Sequence, residues 1–66
     1  MQLTVNGDFR EAQDGVTLAE YLASCNLPSR MVVVEHNGTI VDRKHYDTTQ
    51  LAPKDVLEIV QMMAGG

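Results

Sequence analysis

The sequence predicts a small α+β domain in which a mixed sheet of four to five strands carries one main helix on one face. Three observations predict this class: short alternating apolar segments that are typical of strands, two Asn-Gly pairs that mark hairpins, and one capped amphipathic helix. A chain of 66 residues buries only about 60% of the surface that its unfolded form exposes, so we expect a single core.

The first predicted element is a β-hairpin at the start of the chain. Leu3 and Val5 alternate with polar neighbours, as in a strand with one buried face. The Asn6-Gly7 pair supplies two residues that tolerate the positive φ of a tight type I′ turn. The second strand follows directly and ends before a turn signal at residues 14 and 15.

The helix has the clearest start signal in the chain. Thr17 and Glu20 form a capping box, in which each side chain satisfies a backbone N–H group of the other residue. The apolar stripe recurs at spacing i, i+3, i+4 and i+7 and consists of Leu18, Tyr21, Leu22 and Cys25. Asn26 and Pro28 are predicted to end the helix. Because so short a helix barely persists alone in water, we expect it to pack against the sheet.

A second hairpin is predicted after the helix. The β-branched run from Met31 to His36 suits a strand that is buried on both faces or nearly so. The Asn37-Gly38 pair repeats the hairpin signal, and residues 39–41 return as a short strand. The polar stretch DRKHYDTTQ then predicts an irregular connection, and Pro53 marks a turn before the last strand.

The last predicted strand covers residues 56–62, and its side chains alternate between the two faces of the sheet. Leu57 and Ile59 are predicted to face the helix. On the other face an apolar strip is expected to be partly exposed, unless a loop covers it. The candidate partner-binding residues are the members of this strip, Val56, Val60 and Met62, together with Met63, whose flexible thioether can adapt to a partner's surface.

Composition argues against several classes of function. The formal net charge is −4, whereas nucleic-acid binders concentrate Lys and Arg on a basic face, so we expect no nucleic-acid partner. Neither a signal peptide nor a membrane-spanning stretch is visible, so we expect a cytoplasmic protein with no membrane partner. The single Cys25 has no adjacent His or Lys to activate it as a nucleophile. His36 and His45 stand apart and are expected to be surface histidines rather than metal ligands.

The sequence ends in two glycines, and this end is the candidate reactive group. At about 3.3–3.6 Å per residue, Ala64, Gly65 and Gly66 extend roughly 10 Å beyond Met63, far enough to enter a narrow channel in a partner. Glycine has no Cβ, so the terminal carbonyl can be approached closely. We therefore expect a domain of residues 1–63 and a flexible tail of residues 64–66. The alternative is that the two glycines are an incidental chain end.

A terminal carboxylate needs activation before a nucleophile can attack it. ATP can supply that activation through an acyl-adenylate, but the chain has no Gly-rich phosphate-binding loop with its lysine. The sequence therefore predicts a chain that binds no cofactor, catalyses nothing itself and is activated by a partner enzyme that uses ATP.

Five stretches taken together carry a family resemblance: VNG near the start, TLAEYL, VVVEHNGTIV, DVLEIV and the final MMAGG. This pattern covers essentially the whole chain and resembles the thiamin-biosynthesis sulfur carriers of the ThiS family, which have the ubiquitin-like β-grasp fold. The resemblance implies that the first and last strands pair in parallel at the centre of the sheet. Many relatives have Gly-Asp where this chain has Lys54-Asp55, so a different turn is expected there.

The resemblance also implies a chemistry for the tail. An E1-like enzyme of the ThiF type would adenylate the carboxylate of Gly66, and sulfur from a donor protein would displace AMP to leave a thiocarboxylate. A thiazole synthase of the ThiG type would then take that sulfur. Gly65 and Ala64 would give the partner enzymes access to Gly66. Three alternatives stay open: a sulfur carrier of the molybdopterin-synthase type, a ubiquitin-like modifier conjugated through Gly66, and a plain interaction module.

Overall fold

The structure, a computed structural model, describes residues 1–62, and these form one five-stranded sheet with an α-helix on one face. The elements are β1 (Gln2–Val5), β2 (Asp8–Glu11), α1 (Leu18–Ser24), β3 (Val32–His36), β4 (Thr39–Ile40) and β5 (Val56–Gln61). The sheet order is β2-β1-β5-β3-β4. β1 and β5 pair in parallel and the other neighbours pair antiparallel, which confirms both the predicted fold class and the central parallel pair. The predicted tail and Met63 lie outside the described residues.

The two predicted Asn-Gly hairpins both form, and their turns have the same backbone conformation. Asn6 and Asn37 both have a φ of 51°, and Gly7 and Gly38 both have a φ of 86°. Positive φ at both central residues is the requirement of a type I′ turn, which matches the right-handed twist of the flanking strands.

The helix begins as predicted. The N–H group of Glu20 donates to Oγ1 of Thr17 over 3.1 Å, and the N–H group of Thr17 donates to Oε1 of Glu20 over 2.8 Å. Asn26, with a φ of 59°, takes the left-handed conformation that ends the helix. No helix within residues 1–62 combines the length and apolarity needed to cross a membrane.

The core lies between α1 and the sheet. It consists of nine buried side chains, from Leu3, Leu18, Tyr21, Leu22, Val32, Val34, Tyr46, Leu51 and Leu57. From β5, Leu57 is fully buried and Ile59 packs against the same core, so the prediction that these two residues face the helix is confirmed.

The polar connection after β4 has a structural role that its sequence did not predict. Tyr46 lies in it, buried, and its hydroxyl donates to the carbonyl of Val32 over 3.0 Å. The carbonyl groups of Tyr46 and Thr49 accept the N–H groups of Ala19 and Leu18, each over 2.8 Å. Because the first N–H groups of a helix have no partner within it, this connection completes the start of α1.

Four sequence predictions for the second hairpin and the helix are wrong in detail. Met31 belongs to a 3₁₀ turn, Ser29–Met31, rather than to β3. On β3 only one face is buried, because α1 covers one side of the sheet and leaves Glu35 exposed on the other. Val41 lies outside β4, and Cys25 is exposed at the end of α1 instead of continuing its buried stripe.

The turn before β5 keeps its shape without a glycine. The N–H group of Asp55 donates to the carbonyl of Ala52 over 3.1 Å, and Lys54, the third residue of this turn, has a φ of 70°. Positive φ at that position is the type II requirement that glycine normally meets. Lys54 therefore occupies the conformation expected of glycine, and the predicted difference from the turn of the relatives stays a prediction.

Candidate functional site

The face of the sheet opposite α1 carries the exposed large apolar side chains of residues 1–62. We call them the open-face strip: Phe9, Ile40, Val56, Val60 and Met62, whose exposed fractions run from 42% to 75%. The structure thus places three of the four candidate partner-binding residues at the surface, and no loop covers them. The fourth candidate, Met63, lies outside the described residues.

Strand register explains why these side chains share one face. Phe9 lies opposite Thr4, which in turn lies opposite Val56, so the three side chains point the same way. On the other side of β5, Ile40 lies opposite Glu35. Sequence reasoning missed Phe9 and Ile40 as members of the strip. Each lies three residues beyond the Asn of an Asn-Gly turn, where the strand alternation continues and would have assigned it to this face.

Acidic groups accompany the strip. Glu35 and Glu58 lie directly opposite each other on neighbouring strands of the open face, and both are exposed. Like charges in that arrangement destabilise a sheet. The open face is therefore both apolar and negatively charged, a combination that suits a partner surface with apolar contacts and a basic rim.

β5 leads from the centre of the sheet towards the Gly-Gly end. Its last pair is Gln61 with Val32, and the N–H group of the next residue, Met62, donates to the carbonyl of Met31 over 2.6 Å. The candidate reactive residue Gly66 and its access residues Gly65 and Ala64 lie outside the described residues. The structure describes the strand that precedes them: β5 lies at the centre of the sheet and carries Val56 and Val60 of the open-face strip.

Both hairpin asparagines hold β5 in place. The side chain of Asn6 accepts the N–H group of Ile59 over 2.7 Å and donates to the carbonyl of Ile59 over 3.1 Å. From the other side, Oδ1 of Asn37 accepts the N–H group of Val56 over 2.8 Å. Each asparagine side chain therefore makes hydrogen bonds to β5 of the kind that a neighbouring strand would make. These bonds fix the position of the strand that leads to the tail.

The sequence predicted that His36 is a surface histidine, but its side chain is half-buried and bonded to another side chain. Its Nε2 donates to Oδ2 of Asp55 over 2.7 Å, and the two side chains are only 23% and 12% exposed. Asp55 also accepts from the side chain of Asn37 and from the N–H group of Ala52. Burial raises the pKa of Asp55, but these hydrogen bonds, led by that of His36, outweigh it and hold the pKa below its usual value of 3.8. This cluster ties the turn before β5 to the second hairpin.

A groove runs along the helix side of β5, beyond the end of α1. It has a volume of about 610 Å³, and its lining includes Tyr21, the exposed Cys25 and Arg10. Burial first, and then the neighbouring Cys25, raise the pKa of Tyr21 to about 12, so its hydroxyl stays protonated at neutral pH. Among residues 1–62, no group of three or more His, Cys, Asp or Glu side chains is arranged to hold a metal ion.

Comparison with known proteins decides the family. The family model described as "ThiS family" matches residues 3–66. The chain belongs to the ThiS family. The sulfur carrier protein ThiS of Bacillus subtilis is 37% identical over 65 residues, a match that covers 97% of this chain and 98% of that protein. ThiS proteins carry sulfur for the thiazole of thiamin and are not catalysts, so this chain is a sulfur carrier and not an enzyme.

Two further relatives bear on partners and fold. A thiazole synthase of Paramagnetospirillum magneticum is 35% identical over 66 residues, and this chain spans a fifth of that longer protein. The crystal structure of the thiamine biosynthesis protein ThiS from Geobacter metallireducens matches with a TM-score of 0.85 and 30% identity, and the match covers both chains completely. The predicted ubiquitin-like β-grasp fold is therefore confirmed.

Proposed function

We propose that this ThiS-family chain carries sulfur as a thiocarboxylate on Gly66, the last residue of the sequence. An E1-like enzyme of the ThiF type joins the carboxylate oxygen of Gly66 to the α-phosphate of ATP and releases pyrophosphate. A donor protein then supplies sulfur as hydrosulfide, which attacks the acyl carbon, displaces AMP and loses its proton, so a C–S bond replaces the C–O bond. The observation that carries this proposal is the family match, which extends to Gly66 and so includes the Gly-Gly end.

The folded domain and the tail have different roles because their residues differ in chemistry. The folded body serves as a handle, and residues 64–66 serve as the reagent. Gly65 has no side chain and Ala64 only a methyl group, so two enzyme active sites can enclose the same carbonyl in turn. The chain itself binds no cofactor, and ATP is bound by the activating enzyme.

A thiazole synthase is the protein that receives the sulfur. The supporting observation is the relative named thiazole synthase that includes a segment similar to this whole chain. In such a protein the carrier-like segment and the remaining four-fifths are covalently joined, which keeps the local concentration of one near the other high.

The open-face strip is the surface that the partner enzymes contact. Its apolar side chains are exposed at the base of the tail, and a docked enzyme would meet them before it encloses Gly66. The neighbouring Glu35 and Glu58 favour an enzyme whose rim is basic.

The test is mass spectrometry of the intact protein after incubation with the E1-like enzyme, ATP and a sulfur source. We expect one oxygen to be replaced by sulfur at Gly66, an increase of about 16 Da that is absent without ATP. Gly66→Ala should lower this loading at least tenfold while leaving the melting temperature unchanged. Normal thiazole formation in cells after deletion of Gly65 and Gly66 would refute the proposal. Higher-mass conjugates would favour a modifier, and sulfur transfer only to molybdopterin synthase would favour that pathway.

A charge placed on the strip tests the docking surface. Val60 is 62% exposed, so Val60→Asp should cost about 1 kcal/mol of unfolding free energy or less. It should nevertheless reduce the rate of sulfur loading about tenfold or more, because it adds a negative charge to the apolar contact. Gln13→Asp adds the same charge at an exposed position away from the strip and serves as the control. Equal loading of the two variants would show that the strip does not contact the enzyme.

A further inference from the structure

β5 pairs along its whole length with one neighbouring strand and along only part of its length with the other. On the β3 side the pairing extends along the whole strand to Gln61. On the β1 side the register ends at Val5 and Leu57, because the chain turns away at Asn6 into the first hairpin. The second half of β5 therefore extends beyond the end of its parallel neighbour.

Backbone alternation determines which groups face that gap. The carbonyl of Leu57 accepts from Asn6, and the N–H group of Ile59 donates to the side chain of Asn6, so both point to the β1 side. The N–H group of Met62 points the other way, to Met31. Because successive residues of a strand alternate, the N–H and carbonyl groups of Gln61 face the β1 side, where no described residue pairs with them.

The gap continues into the groove described above. Ile59 and Leu27 give that groove an apolar lining, and Gln61 and Arg10 line it as well. An extended peptide that paired with Gln61 would therefore have room on the helix side for one of its side chains. Exposed donor and acceptor groups on a strand edge bind other extended chains by strand addition.

We propose that an extended segment of the thiazole synthase adds to the β1-side edge of β5 at Gln61 and places a side chain in the adjoining groove. This inference rests on the proposed function, since it names how that partner holds the carrier. Gln61 stands five residues before Gly66. Strand addition at this point fixes the direction and depth at which the tail enters the enzyme, while the open-face strip supplies apolar contact on the other face.

Amide hydrogen exchange tests the pairing directly. In the free protein the amide of Gln61 should exchange rapidly, whereas that of Ile59 is already bonded to Asn6. In the complex of the full chain with thiazole synthase, exchange at Gln61 should slow at least a hundredfold. Val60, whose N–H group faces β3, should be protected in both states and serves as the internal reference.

A proline substitution provides the second measurement. Gln61→Pro replaces the side chain and removes the N–H group that faces the gap, but it removes no group that pairs with β3, so it should leave the melting temperature largely intact while weakening binding about tenfold. Gln61→Ala loses the side chain but keeps the N–H group, and it should retain most of the affinity. A wild-type complex with unchanged exchange at Gln61 and equal affinities for the two variants would overturn the strand addition but leave the proposed function standing. Failure of the wild-type chain to bind thiazole synthase at all would overturn both.

Discussion

The two Asn-Gly turns have the same sequence and the same pair of φ angles, yet their asparagine side chains bind different groups in the folded protein. Asn6 holds Ile59 from the β1 side through two hydrogen bonds between its side-chain amide and the backbone of Ile59. Asn37 holds Val56 from the β3 side and also donates to the carboxylate of Asp55 over 3.1 Å. The same local turn thus secures the central strand at two points and on opposite edges.

The two turns also differ in what surrounds them. Beside Asn37, the half-buried His36 also bonds Asp55, so the second hairpin, the turn before β5 and the start of β5 form one network. Beside Asn6 lies the unpaired edge at Gln61, within the described part of the chain. We infer that the start of β5 is fixed by the protein alone, whereas the end that leads to the tail is left open for a partner.

The largest expected difference concerns the two asparagines. Glycine tolerates the positive φ and adds the same flexibility to the unfolded chain at both positions, so the difference between the two Asn→Gly variants comes from the side-chain hydrogen bonds. Asn37→Gly should lower the unfolding free energy by about 2 kcal/mol, because one of its bonds goes to a charged group, and Asn6→Gly by about 1 kcal/mol. Urea unfolding measures both values. Equal losses would show that the Asp55 network adds nothing to the second hairpin.

The glycines of the same turns provide the control for this comparison. A Cβ added at Gly7 or Gly38 would meet nothing within 4 Å, so the cost of Gly→Ala is the strain of a φ of 86° alone. Both variants should therefore lose about 1 kcal/mol of unfolding free energy, and by the same amount. A clear difference between them would mean that the two turns are not equivalent even in their backbones.

A smaller effect is expected at the third turn, which lacks an Asn-Gly pair. Lys54→Gly relieves the strain of a φ of 70° but makes the unfolded chain more flexible. The two terms oppose each other, so the variant should gain about 0.5 kcal/mol of unfolding free energy, as a rise in the urea midpoint would show. Destabilisation by Lys54→Gly would mean that the lysine side chain contributes more than its backbone strain costs.

The smallest effect is confined to acid. Because the folded-state pKa of Asp55 lies below its usual 3.8, its ionised form stabilises the fold fully above that pH. This contribution is lost as the pH falls through 3.8 towards the folded-state pKa. Stability measured from pH 7 downwards should therefore drop below pH 4, and Asp55→Asn, which is less stable at neutral pH, should show a smaller drop. Parallel pH curves for the two proteins would exclude Asp55 as the group responsible.

Much of the fold followed from local patterns, and the errors have a common cause. The capping box, both hairpin turns and the inward pair Leu57 and Ile59 were predicted because each depends on neighbouring residues alone. The strand β3 was expected to be buried on both faces, since a β-branched run does not reveal how many helices cover the sheet. The buried Tyr46 was missed because a polar segment hides a core residue whose burial depends on distant partners.

The candidate site likewise has features that the local sequence reveals and features that depend on residues far apart in the chain. The Gly-Gly end and the residues Val56, Val60 and Met62 were visible in the sequence, whereas Phe9 and Ile40 joined them only through the register of neighbouring strands. The pairing of His36 with Asp55 joins residues 19 positions apart, a separation at which no periodicity operates.

By itself, the sequence determined the family, the kinds of element and the conformations of the two Asn-Gly turns, because these depend on residue type and short spacing. Only the tertiary structure decided that the two asparagines hold one strand from opposite sides, that one face of the sheet remains open, and that β5 extends past its parallel neighbour. The physical reason is that strand pairing brings together groups far apart in the chain, and the free energy of those contacts is set by register and burial rather than by local preference.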